Sequence, residues 1–221
     1  MKIISLVNSK GGVGKTTLCV NLAREMQIHL KSKEQEGLRA NVLLVDADPQ
    51  GSLRDWHEVG GHHYMEIIAL DTKSSLRDLR VIAQYCDYVF IDTPGKGSEI
   101  IASAITQSDL VLVPVQPSYY DIWAAAEVVD LIQQRQLIAN GRPEAAFILN
   151  RCIPNTLISK EAKEYLHKSS FPYLSKEVHQ RVTFVETTAN GNTVFETSNQ
   201  QAIDSIKMIG EEIRGIIKDV V

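Results

Sequence analysis

The fold is decided by Ile3-Ile4-Ser5-Leu6-Val7-Asn8-Ser9-Lys10-Gly11-Gly12-Val13-Gly14-Lys15-Thr16-Thr17, a stretch near the start of the sequence. It joins an apolar run, typical of a buried strand, to a glycine-rich loop and an apolar helical pattern. Glycines let such a loop wrap closely around a phosphate, and the helix N-terminus adds partial positive charge. Lys15 can hold the β- and γ-phosphates of a nucleoside triphosphate, and the Thr16 hydroxyl can bind Mg²⁺.

Apolar runs and helical patterns alternate along the chain, which predicts a single α/β domain over residues 1–221. The glycine-rich loop assigns this domain to the P-loop NTPase class. The runs are continuous, as in a mostly parallel, twisted sheet that is flanked by helices on both faces. Functional loops should then gather at the carboxyl ends of the strands. The predicted strands are Ile3–Asn8, Asn41–Asp46, Met65–Ala69, Asp87–Asp92, Leu110–Pro114 and Ala145–Asn150. The predicted helices are Thr16–Lys31, Ser74–Gln84, Ser98–Gln107, Tyr120–Gln136, Thr156–Lys168 and a last one within Ser198–Val221.

Composition and charge narrow the functional classes. With 44% hydrophobic and 23% charged residues, the chain of 221 residues has the composition of an ordered globular protein. Its formal net charge of -4 confines any DNA contact to a local basic patch. Cys19, Cys86 and Cys152 are widely spaced, which disfavours disulfides and a zinc site and fits a reducing cytosol. No segment approaches the roughly 20 apolar residues that span a bilayer, so we expect a cytoplasmic protein without a membrane partner.

The glycine-rich loop departs from the usual phosphate-binding pattern. The first glycine of that pattern would fall at Ser9, and Lys10 with two paired glycines follows instead. The loop thereby resembles the deviant Walker A motif of the ParA/MinD superfamily of ATPases, in which a second lysine precedes the paired glycines. The resemblance implies that Lys10 contacts the phosphates of the other subunit in an ATP-bound homodimer. It also implies a set of ATP-binding residues, namely Gly11, Gly12, Val13, Gly14, Lys15, Thr16 and Thr17.

Two carboxylates follow the second predicted strand, in Val42-Leu43-Leu44-Val45-Asp46-Ala47-Asp48-Pro49-Gln50-Gly51-Ser52. Two residues apart at a strand end, they point the same way if the strand continues. A helix N-cap followed by a turn is the alternative interpretation. The stretch resembles the DxDPQG segment of the superfamily, which implies that Asp48 positions the attacking water and that Asp46 supports the Mg²⁺ and phosphate environment. Phosphoryl transfer depends on water placement and charge neutralisation more than on a strong base.

Two more predicted strand ends carry polar candidates. Asp92 ends an apolar run and precedes Thr93-Pro94-Gly95, which fits a Walker B carboxylate that holds the hydration shell of Mg²⁺. Gly95 and Gly97 would leave the following loop free to move. Asn150 ends a later run, and the resemblance implies that it binds the adenine edge, with a turn asparagine as the alternative.

Two later stretches resemble the small plasmid-partition ParA proteins of the ParF kind. They are Val113-Pro114-Val115-Gln116-Pro117-Ser118, with Asp121 downstream, and Gly191-Asn192-Thr193-Val194-Phe195-Glu196. This resemblance implies a Mg²⁺-dependent ATPase that dimerises on ATP binding and then binds nucleoid DNA nonspecifically or assembles. It further implies a centromere-binding partner of the ParB or ParG kind, which stimulates hydrolysis and releases the DNA.

Nonspecific DNA binding requires lysine and arginine side chains that are aimed at phosphates. Arg181 is the first candidate, because it lies just before the segment in which many ParA proteins carry a DNA-binding arginine. Interspersed acids at Glu161, Glu164 and Glu177 favour a solvated helix face as the alternative. The other candidates are Arg151, Lys160, Lys163, Lys168 and Lys176.

Three further features favour structural roles. The stretch Ser198–Val221 places isoleucines at helical spacing with balanced charges, which predicts a core-packing helix and not a membrane-surface helix. Trp56 and Trp123 are interpreted as packing residues. The six histidines show no metal-ligand spacing with acids or thiols.

The leading hypothesis is therefore an ATP-dependent DNA partition ATPase, and three alternatives stay open. The first is a ParA-like ATPase that positions a protein cargo, such as a chemotaxis array, a microcompartment or a secretion system. The second is membrane-bound regulation in the manner of MinD. The third is a metabolic enzyme of the nitrogenase-reductase or dethiobiotin-synthetase kind, although Cys86 and Cys152 are not positioned to bridge a cluster.

Overall fold

A six-stranded sheet forms the centre of the computed structural model, which describes residues 1–33 and 41–218. All its strand pairs are parallel, in the order β3-β2-β4-β1-β5-β6. Each of the six predicted strands is confirmed, with ends shifted by at most two residues. The strands are β1 (Lys2–Leu6), β2 (Val42–Asp46), β3 (Glu66–Ala69), β4 (Tyr88–Asp92), β5 (Leu110–Val115) and β6 (Glu144–Leu149).

Helices cover both faces of this sheet, as the continuous apolar strands predict. Side chains of the first and last helices pack on one face, and those of the helices between β3 and β6 pack on the other. The helices are α1 (Lys15–Lys33), α2 (Ser52–Val59), α3 (Lys73–Arg77), α4 (Leu79–Ile82), α5 (Ser98–Gln107), α6 (Tyr119–Ile138), α7 (Leu157–His167), α8 (Thr183–Glu186) and α9 (Gln200–Lys218).

Two helix predictions need correction. The single helix predicted over Ser74–Gln84 is divided into α3 and α4, because Asp78 between them has ψ near 3° and leaves the helical conformation. Aspartate competes for backbone hydrogen bonds and is a poor residue for a helix interior. Helix α2 has no counterpart among the predictions, although Leu53 and Trp56 are three residues apart and both buried.

The two tryptophans have opposite environments. Trp56 is 4% exposed, and its Nε1 donates a hydrogen bond to the Asn192 carbonyl oxygen (3.1 Å), so its predicted packing role is confirmed. Trp123 is 58% exposed, so the same prediction is wrong for it. The buried face of α6 is formed by Ile122, Ala125 and Val128, and Trp123 lies outside that face. Its ring contacts the rings of two exposed tyrosines, Tyr119 and Tyr120.

Helix α9 packs in the core, as its isoleucine spacing predicts. Ile206, Ile209, Ile213 and Ile217 are buried in the cluster that includes α1, whereas residues 219–221 lie outside the described part. A buried ion pair joins the two helices, in which Arg214 Nη1 lies 2.7 Å from Glu25 Oε2. Within residues 1–33 and 41–218, no helix has the length and apolar character needed to cross a bilayer.

Replacing Arg214 with methionine should strongly destabilise the fold. Glu25 is 5% exposed, and burial raises the pKa of its carboxyl while Arg214 opposes that rise. Without Arg214 the carboxylate is buried and unpaired, so we expect the free energy of unfolding in urea to fall by about 3 kcal/mol. Arg77→Met, at an exposed position, should change it by less than ~0.5 kcal/mol. A loss below ~1 kcal/mol for Arg214→Met would show that the ion pair does not hold α9 on α1.

Candidate nucleotide site

The glycine-rich loop between β1 and α1 is anchored by Asn8, which is fully buried. Its Nδ2 donates to the Pro114 carbonyl oxygen (2.7 Å), and its Oδ1 accepts a hydrogen bond from the Lys10 backbone N–H (2.8 Å). At Gly14, φ is 93° and a Cβ would collide with the Asn150 side chain. Both the backbone conformation and the lack of space therefore favour glycine at this position. The loop borders an open cavity of about 570 Å³ at the carboxyl edge of the sheet.

Lys15 begins α1 and extends along the loop toward its start. It is 7% exposed, and its Nζ donates a hydrogen bond to the Lys10 carbonyl oxygen (3.0 Å). Burial lowers the pKa of Lys15, while the nearby carboxylates of Asp92 and Asp48 raise it. The side chain also lines the cavity, so it combines a partly desolvated positive charge with access to an anion.

Asp92 and Thr16 form the acidic part of the site. The Thr16 hydroxyl donates to Asp92 Oδ2 (2.6 Å), and Asp92 is 1% exposed. Burial raises the pKa of Asp92 to about 7, against the lowering effect of the Thr16 hydrogen bond. Among the described residues, Asp92 Oδ1 has no hydrogen-bond partner. A buried carboxylate with a free oxygen beside a hydroxyl fits Mg²⁺, which prefers oxygen ligands and takes others from water and phosphate.

The described residues hold no group of three or more His, Cys, Asp or Glu side chains that are arranged to bind a metal. A Mg²⁺ site of the kind above uses one or two carboxylates and depends on phosphate oxygens for the remainder.

Asp46 and Asp48 differ in burial and in hydrogen-bond partners. Asp46 is fully buried, and both of its oxygens accept hydrogen bonds from the chain: Oδ1 from the Asp48 N–H (3.0 Å) and Oδ2 from the N–H and Nε of Arg54 (3.1 Å each). Asp48 is half-buried and lines the cavity, and its Oδ1 accepts the Gln50 N–H (2.9 Å). The structure thus brings Asp48 to the cavity and makes Asp46 an anchor of the loop. A role of Asp46 at the metal remains a prediction.

Lys10 has an ion-pair partner on its own subunit. Its Nζ lies 2.7 Å from Oδ2 of Asp121, which is buried at the start of α6, while the Lys10 side chain is 39% exposed. Sequence reasoning mentioned Asp121 only as part of a resemblance and gave it no role. An acid in the first turn of the helix that follows β5 was the available signal, since such a residue faces the same edge of the sheet as the glycine-rich loop.

Asn150 lies against the glycine-rich loop, where its Nδ2 donates to the Val13 carbonyl oxygen (2.7 Å). It also lines a second cavity of about 710 Å³ next to the first. Arg181 and His179 line this second cavity, and Arg151 lines both. The position suits a nucleoside beside the phosphates, but the adenine contact predicted for Asn150 is not tested by it.

The predicted DNA-binding residues have different surroundings. Arg151 and Arg181 lie at the cavities, and within the described chain Arg181 Nε is buried without a hydrogen-bond partner. Lys163 lies in α7 and pairs with Glu177 (2.8 Å). Lys160 and Lys168 are exposed on or next to the same helix. The DNA-binding role of these residues remains a prediction.

Two segments that line the first cavity were not predicted from the sequence. One is α2, which contributes Ser52, Asp55, Trp56 and Val59, and the other is the turn that contains Thr188 and Ala189. They are joined to each other by the Trp56–Asn192 hydrogen bond. The Gly191–Glu196 stretch also reaches α1, because the Val194 N–H donates to Asn21 Oδ1 (2.9 Å). The Gly191–Glu196 motif, to which the sequence analysis gave no function, therefore has a structural contact with α1.

Comparisons with known proteins agree with this geometry. A family profile described as an AAA domain matches residues 1–69 and 62–142. Maintenance of carboxysome distribution protein A of Halothiobacillus neapolitanus is 26% identical over 216 residues, which cover 95% of both chains. The protein of the same name from Gloeobacter kilaueensis is 33% identical over 174 residues, or 77% of this chain and 73% of that protein. Protein ParA of Rhizobium radiobacter is 30% identical over 139 residues, or 62% of this chain and 58% of that protein.

Solved structures show the same fold. An ATP complex of McdA from Cyanothece has a TM-score of 0.72 at 17% identity, with 96% of each chain covered. MinD from Aquifex aeolicus has a TM-score of 0.75 at 19% identity, with 97% of each chain covered. At these identities the likeness concerns the fold alone.

Proposed function

Because the chain belongs to the ParA/MinD superfamily of AAA-domain P-loop ATPases, we propose that it hydrolyses ATP to ADP and phosphate in order to position a protein cargo. The observation that carries the ATPase part is the convergence of Lys15, Thr16 and Asp48 on one cavity. Lys15 and Thr16 lie at the start of α1, and Asp48 follows β2. Asp92 at the end of β4 joins them through its hydrogen bond with Thr16.

In this proposal the loop amides and Lys15 bind the phosphates, and Thr16 with Asp92 would hold Mg²⁺. When bound, the ion would neutralise charge on the phosphate oxygens. Asp48 orients the attacking water at the mouth of the cavity, which requires correct placement more than a strong base. Both cofactors, ATP and Mg²⁺, fit the donor set described above. The homodimer that forms on ATP binding would bring Lys10 to the phosphates of the second subunit.

The cargo part of the proposal is supported by the relatives. Two of them are named for maintaining carboxysome distribution, and one of these matches 95% of both chains. We therefore propose that the cargo is a large protein assembly of the microcompartment kind and that a partner protein on it stimulates hydrolysis. DNA partition is the second candidate, because Protein ParA of Rhizobium radiobacter also matches. In that case, the partner would be a centromere-binding protein of the ParB or ParG kind.

The identity of the cargo is tested by measuring whether the proteins encoded by neighbouring genes stimulate the ATPase. Each product is purified and added to the full chain with ATP and Mg²⁺, and phosphate release is measured. The proposal expects at least ~10-fold stimulation by a product that has no sequence-specific DNA binding in a titration across salt concentrations. Stimulation only by a small sequence-specific DNA-binding protein would instead establish partition. A chain that never hydrolyses ATP, with any of these products, would refute the ATPase assignment.

Replacing Lys10 with alanine should separate nucleotide binding from dimerisation. Lys10 does not line the first cavity, and its Nζ is paired with Asp121, so nucleotide affinity should change by less than ~3-fold. The dimer that forms with a slowly hydrolysed ATP analogue should weaken by at least ~10-fold in light scattering, since one charge pair across the interface is lost. Lys168→Ala, at an exposed position in the same protein, is the control. Normal dimerisation of Lys10→Ala would contradict the predicted contact of Lys10 with the phosphates of the second subunit.

A further inference from the structure

The segment that carries Asp48 runs directly into α2, and Arg54 lies in the first turn of that helix. Gly51 makes the turn between them with φ at 76°, and a Cβ there would lie 3.1 Å from Arg54 Nε. Glycine at this position therefore provides both the backbone conformation and the room that lets the arginine side chain fold back over the loop.

All three guanidinium nitrogens of Arg54 contact acceptors in or near the Asp48 loop. Nε donates to Asp46 Oδ2 (3.1 Å), and Nη2 donates to the Asp48 carbonyl oxygen (3.0 Å), with a longer contact to the Pro49 carbonyl oxygen (3.4 Å). Nη1 lies 3.6 Å from Oδ2 of Asp71, which follows β3. One side chain thus ties the end of β2, the backbone of Asp48 and the residues after β3 to each other.

The acceptors of Arg54 identify its target. Apart from Asp71, every acceptor lies within residues 46–49, and two of them are backbone carbonyl oxygens of the loop itself. Arg54 does not line either cavity, and its side chain is 35% exposed. It therefore has no direct route to the nucleotide and does not fill the core. Its contacts act on the position of Asp48, whose backbone is held at the N–H by Asp46 and at the carbonyl by Arg54.

We propose that Arg54 is a positioning residue for ATP hydrolysis, which fixes the Asp48 loop so that the Asp48 carboxylate faces the cavity in one geometry. This inference rests on the proposed ATPase function. A guanidinium suits the task because it is planar and offers five N–H donors in a fixed arrangement, so it can bind a carboxylate and loop carbonyls at once. A lysine carries the same charge on a single nitrogen and cannot hold these acceptors in the same way.

Kinetics of Arg54→Met test the inference. Since the phosphates are bound by the glycine-rich loop and Lys15, the affinity for a fluorescent ATP analogue and KM should stay within ~3-fold of wild type. In contrast, kcat should fall by ~10- to 100-fold, as expected when a catalytic group is misplaced by a fraction of an ångström. Arg54→Lys should recover part of kcat. Amide hydrogen exchange within residues 47–51 should accelerate by at least ~10-fold in Arg54→Met, while exchange in α1 stays unchanged.

Arg80→Met is the matched control. Arg80 is also a partly exposed arginine, and its Nη2 binds one carboxylate and one carbonyl oxygen, those of Asp109 and Gln107. These acceptors precede β5, at the opposite edge of the sheet, so kcat should be unaffected. If Arg54→Met does not fold, Arg54→Lys carries the test, because it retains the charge and the aliphatic stem.

The outcomes separate this inference from the proposed function. Unchanged kcat in both Arg54 variants, alongside a loss of turnover in Asp48→Ala, would overturn the role of Arg54 and leave the ATPase assignment intact. An equal loss of nucleotide affinity and turnover would also overturn it, because Arg54 would then support the fold of the whole site. Absence of hydrolysis in the wild-type chain with its stimulating partner would refute the proposed function itself.

Discussion

Lys15→Ala should abolish ATP binding while the protein stays folded. Lys15 is a positive side chain that lines the cavity and is buried beside two carboxylates, and burial lowers its pKa. Removing it deletes charge-assisted hydrogen bonds to the phosphates and leaves Asp92 and Asp48 to repel them. We expect the dissociation constant for a fluorescent ATP analogue to rise at least ~100-fold, which corresponds to about 3 kcal/mol.

Lys31→Ala is the matched control for this change. Lys31 lies in the same helix, near its C-terminal end, and is exposed, so its removal should leave the dissociation constant unchanged. Circular dichroism and urea denaturation of both variants establish that each is folded. Tight ATP binding by folded Lys15→Ala would refute the assignment of the glycine-rich loop as the phosphate site.

Asp48→Ala should bind ATP yet fail to turn it over. Asp48 lines the cavity, and its backbone is held at the N–H by Asp46 and at the carbonyl by Arg54. Truncation of the side chain removes the hydrogen bond from the Gln50 N–H but leaves these two contacts, so the loop should keep its position. Loss of a group that places the attacking water should lower kcat by at least ~100-fold. Because ATP then persists in the site, the protein should remain trapped as a dimer.

Phosphate release and light scattering in the same sample test both parts of this result. Glu58→Ala serves as the control, since Glu58 is an exposed carboxylate of α2 and does not line the cavity. If Asp48→Ala hydrolyses ATP at the wild-type rate, the water-positioning role is wrong. If turnover is lost without accumulation of dimer, the link between hydrolysis and dissociation is wrong.

The strands and the glycine-rich loop were predictable because their signals are local. A parallel strand that is covered on both faces is apolar along most of its length. The six runs selected on this pattern each formed a strand, including the partly exposed β3. Glycines before Lys15 similarly mark a loop whose backbone adopts positive φ, as Gly12 and Gly14 do. In these cases the residue type and the required conformation are linked within a few positions.

The remainder of the site depends on contacts that the sequence does not mark. Lys10 and its partner Asp121 are 111 residues apart, and the Asn150 amide reaches the Val13 carbonyl across 137 residues. Arg54 is close in sequence to Asp48, but two of its four acceptors are backbone carbonyls, whose direction is set only once the loop has folded. Helix α2 was missed for a related reason, since Pro49 and Gly51 at its start indicate a turn.

The contrast between the two indoles makes the chain suitable for collisional quenching. Trp56 and Trp123 are its two tryptophans, and acrylamide or iodide would reach the exposed Trp123 while sparing the buried Trp56. Trp123 lies two residues from Asp121, the partner of Lys10, whereas Trp56 lines the first cavity. Any molecule that covers the start of α6 should therefore abolish the quenchable part of the emission, and the native protein can report that event without an attached dye.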